Sequence, residues 1–141
     1  MWESTEEFLD LDTSPELRAA SELLSKAGDA IAEESLPLKK LEATCALKCF
    51  EKIRDIWSMS AADKSTVMAC VERCEEPMDN IGMVLEEERN RMLEGTTNCL
   101  EKCGDDDDMC ANRCISQTLT SNTIEGMVSR VRAKILAYKY A

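Results

Sequence analysis

Apolar residues return at three- and four-residue intervals along most of the chain, the pattern of helices that each bury one face. Leu17, Ala20, Leu24, Ala27 and Ile31 make the first stripe. Thr13-Ser14-Pro15-Glu16 opens it, with Ser14 as N-cap and Pro15 at the first helical position. Pro37 disfavours helical geometry in the residue before it, so this helix should end near Ser35. A second stripe of Leu38, Leu41, Cys45, Cys49, Ile53 and Ile56 predicts a helix from about Leu38 to Trp57, with Trp57 capping the core. A third helix, about Ala61 to Glu75, aligns Val67, Cys70, Val71 and Cys74, and Pro77 then kinks or restarts the chain. From Met78 the face continues through Ile81, Leu85, Met92, Cys99 and Cys103. The charge run Glu86, Glu87, Glu88, Arg89 and Arg91 falls mostly on the solvated side. A final helix from Asp108 to about Ala137 carries Ile124, Val128, Val131 and Ile135, although Gln117 and Ser121 interrupt its stripe.

All eight cysteines fall in four C-x-x-x-C pairs: Cys45/Cys49, Cys70/Cys74, Cys99/Cys103 and Cys110/Cys114. A four-residue step puts both sulfurs of a pair on one helix face, one turn apart. Disulfides, buried reduced thiols and a metal site compete for them. Structural zinc sites take such ligands mostly from knuckles and turns, and the chain has no histidine. Redox enzymes more typically carry C-x-x-C, and a reduced cysteine packs as a small hydrophobe. The even count and the repeated spacing favour disulfides.

Helix geometry then selects partners, because in an antiparallel hairpin inner thiols meet inner and outer meet outer. Ser60 and Asp63 read as an N-cap and its acidic partner, placing a turn between the first two pairs. Cys49–Cys70 and Cys45–Cys74 follow. Gly104 and the aspartates 105–108 suit a short helix-to-helix connection, which gives Cys103–Cys110 and Cys99–Cys114. Those aspartates lack the alternating ligands, glycine and glutamate of a calcium loop, so they read as a capping turn. Nothing breaks Val84–Arg89, so the second and third pairs should not face each other. The expected fold is all-α: two antiparallel, disulfide-clamped helical hairpins plus an N-terminal helix, over residues 13–141.

Composition narrows the class. The formal net charge of −11 argues against a nucleic-acid partner, which wants Lys/Arg patches, and disfavours anionic lipid contact through the bulk surface. No apolar run approaches the roughly 20 residues that cross a bilayer. Residues 1–12 read as an acidic segment, either a disordered tail or a docking strap, with neither the Arg-rich character of a presequence nor the apolar core of a secretory signal. Its Trp2, Phe8, Leu9 and Leu11 are residue types that anchor interfaces. At the other end, Arg132, Tyr138, Lys139 and Tyr140 offer a second contact, with an acidic partner or with lipid headgroups. No histidine, glycine-rich phosphate loop or G-x-S-x-G supplies catalytic machinery. The expectation is therefore no catalytic residue, no metal ligand and no cofactor.

Four such pairs in a short helical chain resemble the eukaryotic "family with sequence similarity 136, member A" proteins, a family of unknown function. The segment Cys70-Val71-Glu72-Arg73-Cys74-Glu75-Glu76-Pro77-Met78 looks like that family's C-[IV]-E-R-C-x-x-P-[LM] run. More distantly, the chain is similar to the small twin C-x-x-x-C chaperones of the mitochondrial intermembrane space. The resemblance implies that compartment and no assigned catalysis. Together with the residues, it leads to the expectation of an accessory subunit or assembly factor bound to protein subunits of an inner-membrane complex, with peripheral membrane contact. The alternative expectation is a soluble chaperone for membrane-protein precursors.

Overall fold

The computed structural model describes residues 14–140, which fold into five α-helices and a closing 3-10 turn. In chain order they are α1 (Pro15–Glu34), α2 (Leu36–Cys49), α3 (Ala61–Glu101), α4 (Asp108–Thr118) and α5 (Ser121–Ala137), then Tyr138–Tyr140. Residues 1–13, which include the acidic strap and its Trp2, Phe8, Leu9 and Leu11, lie outside the described residues.

α1 begins as its sequence requires. Ser14 Oγ accepts from Leu17 N at 3.2 Å, and Pro15 occupies the first turn. A single residue, Ser35, joins α1 to α2, and its hydroxyl donates to Ile31 O at 2.7 Å. The same carbonyl accepts the Ser35 backbone N–H at 3.0 Å, so the buried hydroxyl finds its partner on the last turn of α1.

The 41 residues of α3 form the spine of the molecule, roughly 60 Å long at 1.5 Å per residue. Its start is capped by Ser60, whose Oγ accepts from Asp63 N at 3.1 Å. Val67, Cys74, Ile81 and Glu88 recur every seventh residue, with Leu85 and Met92 in the same relation, so one buried stripe runs most of its length. Pro77 sits inside this helix without ending it. Of the expected kink or restart, the restart does not occur: Cys74, bridged to Cys45 of α2, and Ile81, in the core, hold the stripe on either side of the missing backbone donor.

Both ends of α3 are paired with antiparallel neighbours. α2 runs back along the N-terminal part, Cys49 meeting Cys70 and Cys45 meeting Cys74. α4 and α5 run back along the C-terminal part: Cys110 meets Cys103, Cys114 meets Cys99, Arg130 reaches Glu88 and Tyr138 reaches Asn80. α1 packs over α4 and α5. Its Leu17, Ala20, Leu24, Ala27 and Ile31 complete a core with Leu38, Ile81, Leu85, Met92, Ile115, Leu119, Ile124, Met127, Val131 and Ile135. Apart from Leu38, α2 contributes nothing to that core. The N-terminal half of α3 and α2 therefore form an arm, and the remainder forms a bundle.

Three sequence expectations are corrected. α2 stops at Cys49 rather than Trp57, and residues 50–60 form turns. Asp55 Oδ1 accepts from Trp57 N at 3.0 Å, the local competition by which aspartate replaces helix with turn. Leu41 and Ile56 are exposed, and Trp57 is 91% exposed rather than a cap on the core. The final helix is two helices, divided at Leu119 and Thr120. Thr120 Oγ1 accepts from Thr123 N at 3.2 Å and so starts α5 afresh. Finally, Glu88 lies on the buried face and not on the solvated one.

Candidate functional site

The chemistry-bearing residues gather in two sulfur clamps, one near each end of α3. In the arm clamp, Cys45–Cys74 and Cys49–Cys70 stack one turn apart, with Cα separations of 5.6 and 5.8 Å. In the bundle clamp, Cys99–Cys114 and Cys103–Cys110 do the same at 5.6 and 5.7 Å. These separations lie inside the range a disulfide spans without moving the backbone. All eight cysteines are oxidised, in the pairs that inner-to-inner and outer-to-outer hairpin geometry selects.

Stacking brings sulfurs of different bridges together. Cys49 Sγ lies 3.7 Å from Cys74 Sγ, and Cys103 Sγ lies 3.8 Å from Cys114 Sγ. Three sulfurs of each clamp, from Cys49, Cys70 and Cys74 and from Cys103, Cys110 and Cys114, lie within 4.8 Å of one another. That closeness would suit a metal only if the sulfurs were thiolates. As disulfides they act as cross-links. Cys74 and Cys114 are the buried members, whereas Cys45 is exposed, so the arm clamp is the one open to a reductant.

Beside the bundle clamp, Thr96 is fully buried and its Oγ1 lies 2.7 Å from Thr118 Oγ1. Thr118 donates to Cys114 O at 2.7 Å, so its single proton is used there and Thr96 donates to Thr118. About two turns further back, Glu88 is 7% exposed and is held by Arg130. Arg130 Nε lies 3.0 Å from each carboxylate oxygen, Nη2 donates to Oε2 at 2.9 Å, and Arg91 Nη1 adds a 3.4 Å contact. The hydrogen bond to Glu88 holds the Arg130 pKa above its ordinary value, with burial opposing. Neither Thr96 nor Glu88 was singled out from sequence. The signal was present for Glu88, which stands three residues after Leu85 and four before Met92.

The residues expected at the C-terminal end are partly absorbed by the fold. Arg132 Nε lies 3.0 Å from Glu34 Oε1, an ion pair whose N–H is not aligned as a hydrogen bond. The Tyr138 hydroxyl accepts from Asn80 Nδ2 at 3.1 Å, and its ring packs on the core. Lys139 lies over the Tyr140 ring at 5.5 Å, and Tyr140 is 81% exposed. Tyr140 and Lys139 are thus the members left facing solvent.

An exposed apolar surface lies elsewhere, at the tip of the arm. Phe50, Met59, Val67, Met68 and Val71 line a groove of about 520 Å³, with Lys64, Glu72 and Glu75 also bordering it. Ile56 and Trp57 project from the adjoining loop. Sequence reading assigned this stretch to the core because its spacing is helical. The missing information was that, among the described residues, no neighbouring element covers it.

Fold and site together define the class: an all-α protein built of disulfide-clamped C-x-x-x-C helical hairpins. No protein-family model matches the chain, and no curated protein or solved structure does either. Among the described residues, no helix is long and apolar enough to cross a membrane.

Proposed function

We propose that this chain is a non-catalytic accessory subunit or assembly factor on the intermembrane-space side of a mitochondrial inner-membrane complex, of the respiratory chain or ATP synthase. The observation that carries the proposal is the pair of sulfur clamps at the two ends of one 41-residue helix. Such cross-links form and persist in oxidising compartments, and they make α3 a rigid spacer between surfaces that can each hold a partner. The likeness of Cys70–Met78 to the family with sequence similarity 136, member A, supports the mitochondrial compartment. Partner contacts are assigned to Trp2, Phe8, Leu9 and Leu11 near the start of the sequence and to Arg132, Tyr138, Lys139 and Tyr140 near its end, the latter beside the middle of α3 where Tyr138 meets Asn80. Of the latter group, Tyr140 and Lys139 are the most accessible.

The groove at the arm tip favours a second reading, a small chaperone for membrane-protein precursors. Its Met59 and Met68 are the adaptable side chains that promiscuous surfaces use. Native gel migration of the endogenous protein separates the two. A subunit comigrates at fixed stoichiometry with one membrane complex, and a chaperone runs as its own assembly with changing clients. Recovery of the protein with eight alkylatable thiols outside mitochondria would remove the basis of both.

A further inference from the structure

We infer that the tip of the arm docks on the surface of an anionic phospholipid bilayer, inserting Ile56 and Trp57 between headgroups. The first observation is exposure. Trp57 is 91% and Ile56 is 54% exposed, and they are neighbours on the irregular connection between α2 and α3. Leu47 and Met68, at 72% and 63%, extend the apolar surface onto the two helices behind the loop. Tryptophan has an apolar body with a polar tip, and it concentrates where hydrocarbon meets water.

Charge complementarity selects the lipid surface over another protein. Residues 47–64, the tip itself, carry four basic and three acidic side chains, a balance of +1, in a chain whose total is −11. The rest of the chain therefore bears −12. Lys48, Lys52, Arg54 and Lys64 are all exposed and flank the apolar loop, with Glu51, Asp55 and Asp63 exposed among them. An anionic bilayer favours such a tip over the strongly acidic remainder, so the chain docks tip down, with the bundle away from the surface. Long basic side chains around an aromatic and aliphatic cluster are the composition of interfacial anchors. The loop backbone is irregular, which the hydrated headgroup layer tolerates and the hydrocarbon interior does not. Insertion is accordingly shallow. The inference goes beyond the proposed function, since it holds for a subunit and a chaperone alike.

The test uses the full-length, oxidised protein and vesicles made of equal parts phosphatidylcholine and phosphatidylglycerol. Trp2→Phe leaves Trp57 as the sole tryptophan. The expected result is flotation with these vesicles, a blue shift of Trp57 emission, and weakening by salt. The pair Ile56→Ser and Trp57→Ser should lower the partition coefficient at least about tenfold, given the apolar area each buries. Because both side chains are exposed, helicity and melting should not change. Absence of flotation, or flotation equally strong for the Ser pair or for vesicles of phosphatidylcholine alone, would overturn the inference. So would an unshifted Trp57 on vesicles combined with its burial by a purified protein partner, which would assign the tip to protein.

Discussion

The arm and the bundle carry the same sulfur clamp but differ in what lies beneath it. In the bundle, Cys99–Cys114 and Cys103–Cys110 sit at the end of a continuous apolar core that includes Met92, Ile115 and Leu119. In the arm, Cys45–Cys74 and Cys49–Cys70 join two helices between which only Val67 and Cys74 are buried, beyond the point where Leu38 reaches the core. A cross-link stabilises largely by restricting the unfolded chain, and in that account it needs no buried area. Apolar burial acts on the folded state, in proportion to the area removed from water. The arm relies on the first effect and the bundle on both. That difference leaves the arm's Leu47, Trp57 and Met68 free to face outward without unfolding it.

The sharpest way to break this comparison is to cut equivalent aliphatic side chains in the two regions. Ile124→Ala in the bundle removes a side chain that is 3% exposed and should cost about 2–5 kcal/mol. Leu47→Ala in the arm, at 72% exposure, should stay within about 0.5 kcal/mol. Denaturant melts of the oxidised protein check both. Similar costs at the two positions would mean that the arm also has a core.

A smaller effect probes the polar part of the bundle. Arg130→Ala leaves the Glu88 carboxylate buried with only the 3.4 Å contact from Arg91, and should cost about 2 kcal/mol. Glu88→Leu should cost much less, because Arg130, with its side chain 54% exposed, returns to water. Equal losses from the two changes would show that the ion pair itself, and not the stranded carboxylate, sets the penalty.

The smallest expected change lies at the junction of the two regions. Pro77 removes one backbone donor inside α3, so Pro77→Ala should raise stability by about 1 kcal/mol, less than the full interior penalty because packing already holds the helix. A loss would show that the proline ring itself contributes to joining arm and bundle.

The helical class and the cysteine pairing were legible in the sequence, because a four-residue step is a local geometric statement that survives any tertiary context. The stripe of α1 was legible for the same reason, with Ser14 and Pro15 fixing its start. What the chain concealed was which stripes have a partner. Leu41, Cys45, Ile53 and Ile56 keep helical spacing, yet the loop turns at Asp55 and the surface stays uncovered. Pro77 was read as a kink or a restart because interior proline costs a hydrogen bond, and the bridge at Cys74 and the burial of Ile81 that hold the helix across it are not local. The opposite error occurred at Leu119, where Thr118, Thr120 and Thr123 offered side-chain bonds strong enough to divide one expected helix into two. Glu88 was hidden by its charged neighbours, although its register with Ile81, Leu85 and Met92 placed it on the buried face.

The central claim, that sulfur holds the arm while a core holds the bundle, is tested most directly by hydrogen exchange on the full-length chain before and after complete reduction. The account predicts that the reduced protein loses amide protection across α2 and through α3 as far as Glu76, while Ile81–Met92 and Ile124–Ile135 stay protected. Loss of protection in both regions together would contradict it, since the bundle would then depend on its disulfides as the arm does. Persistent protection of α2 after reduction would contradict it from the other side, by showing that the arm folds without its clamp.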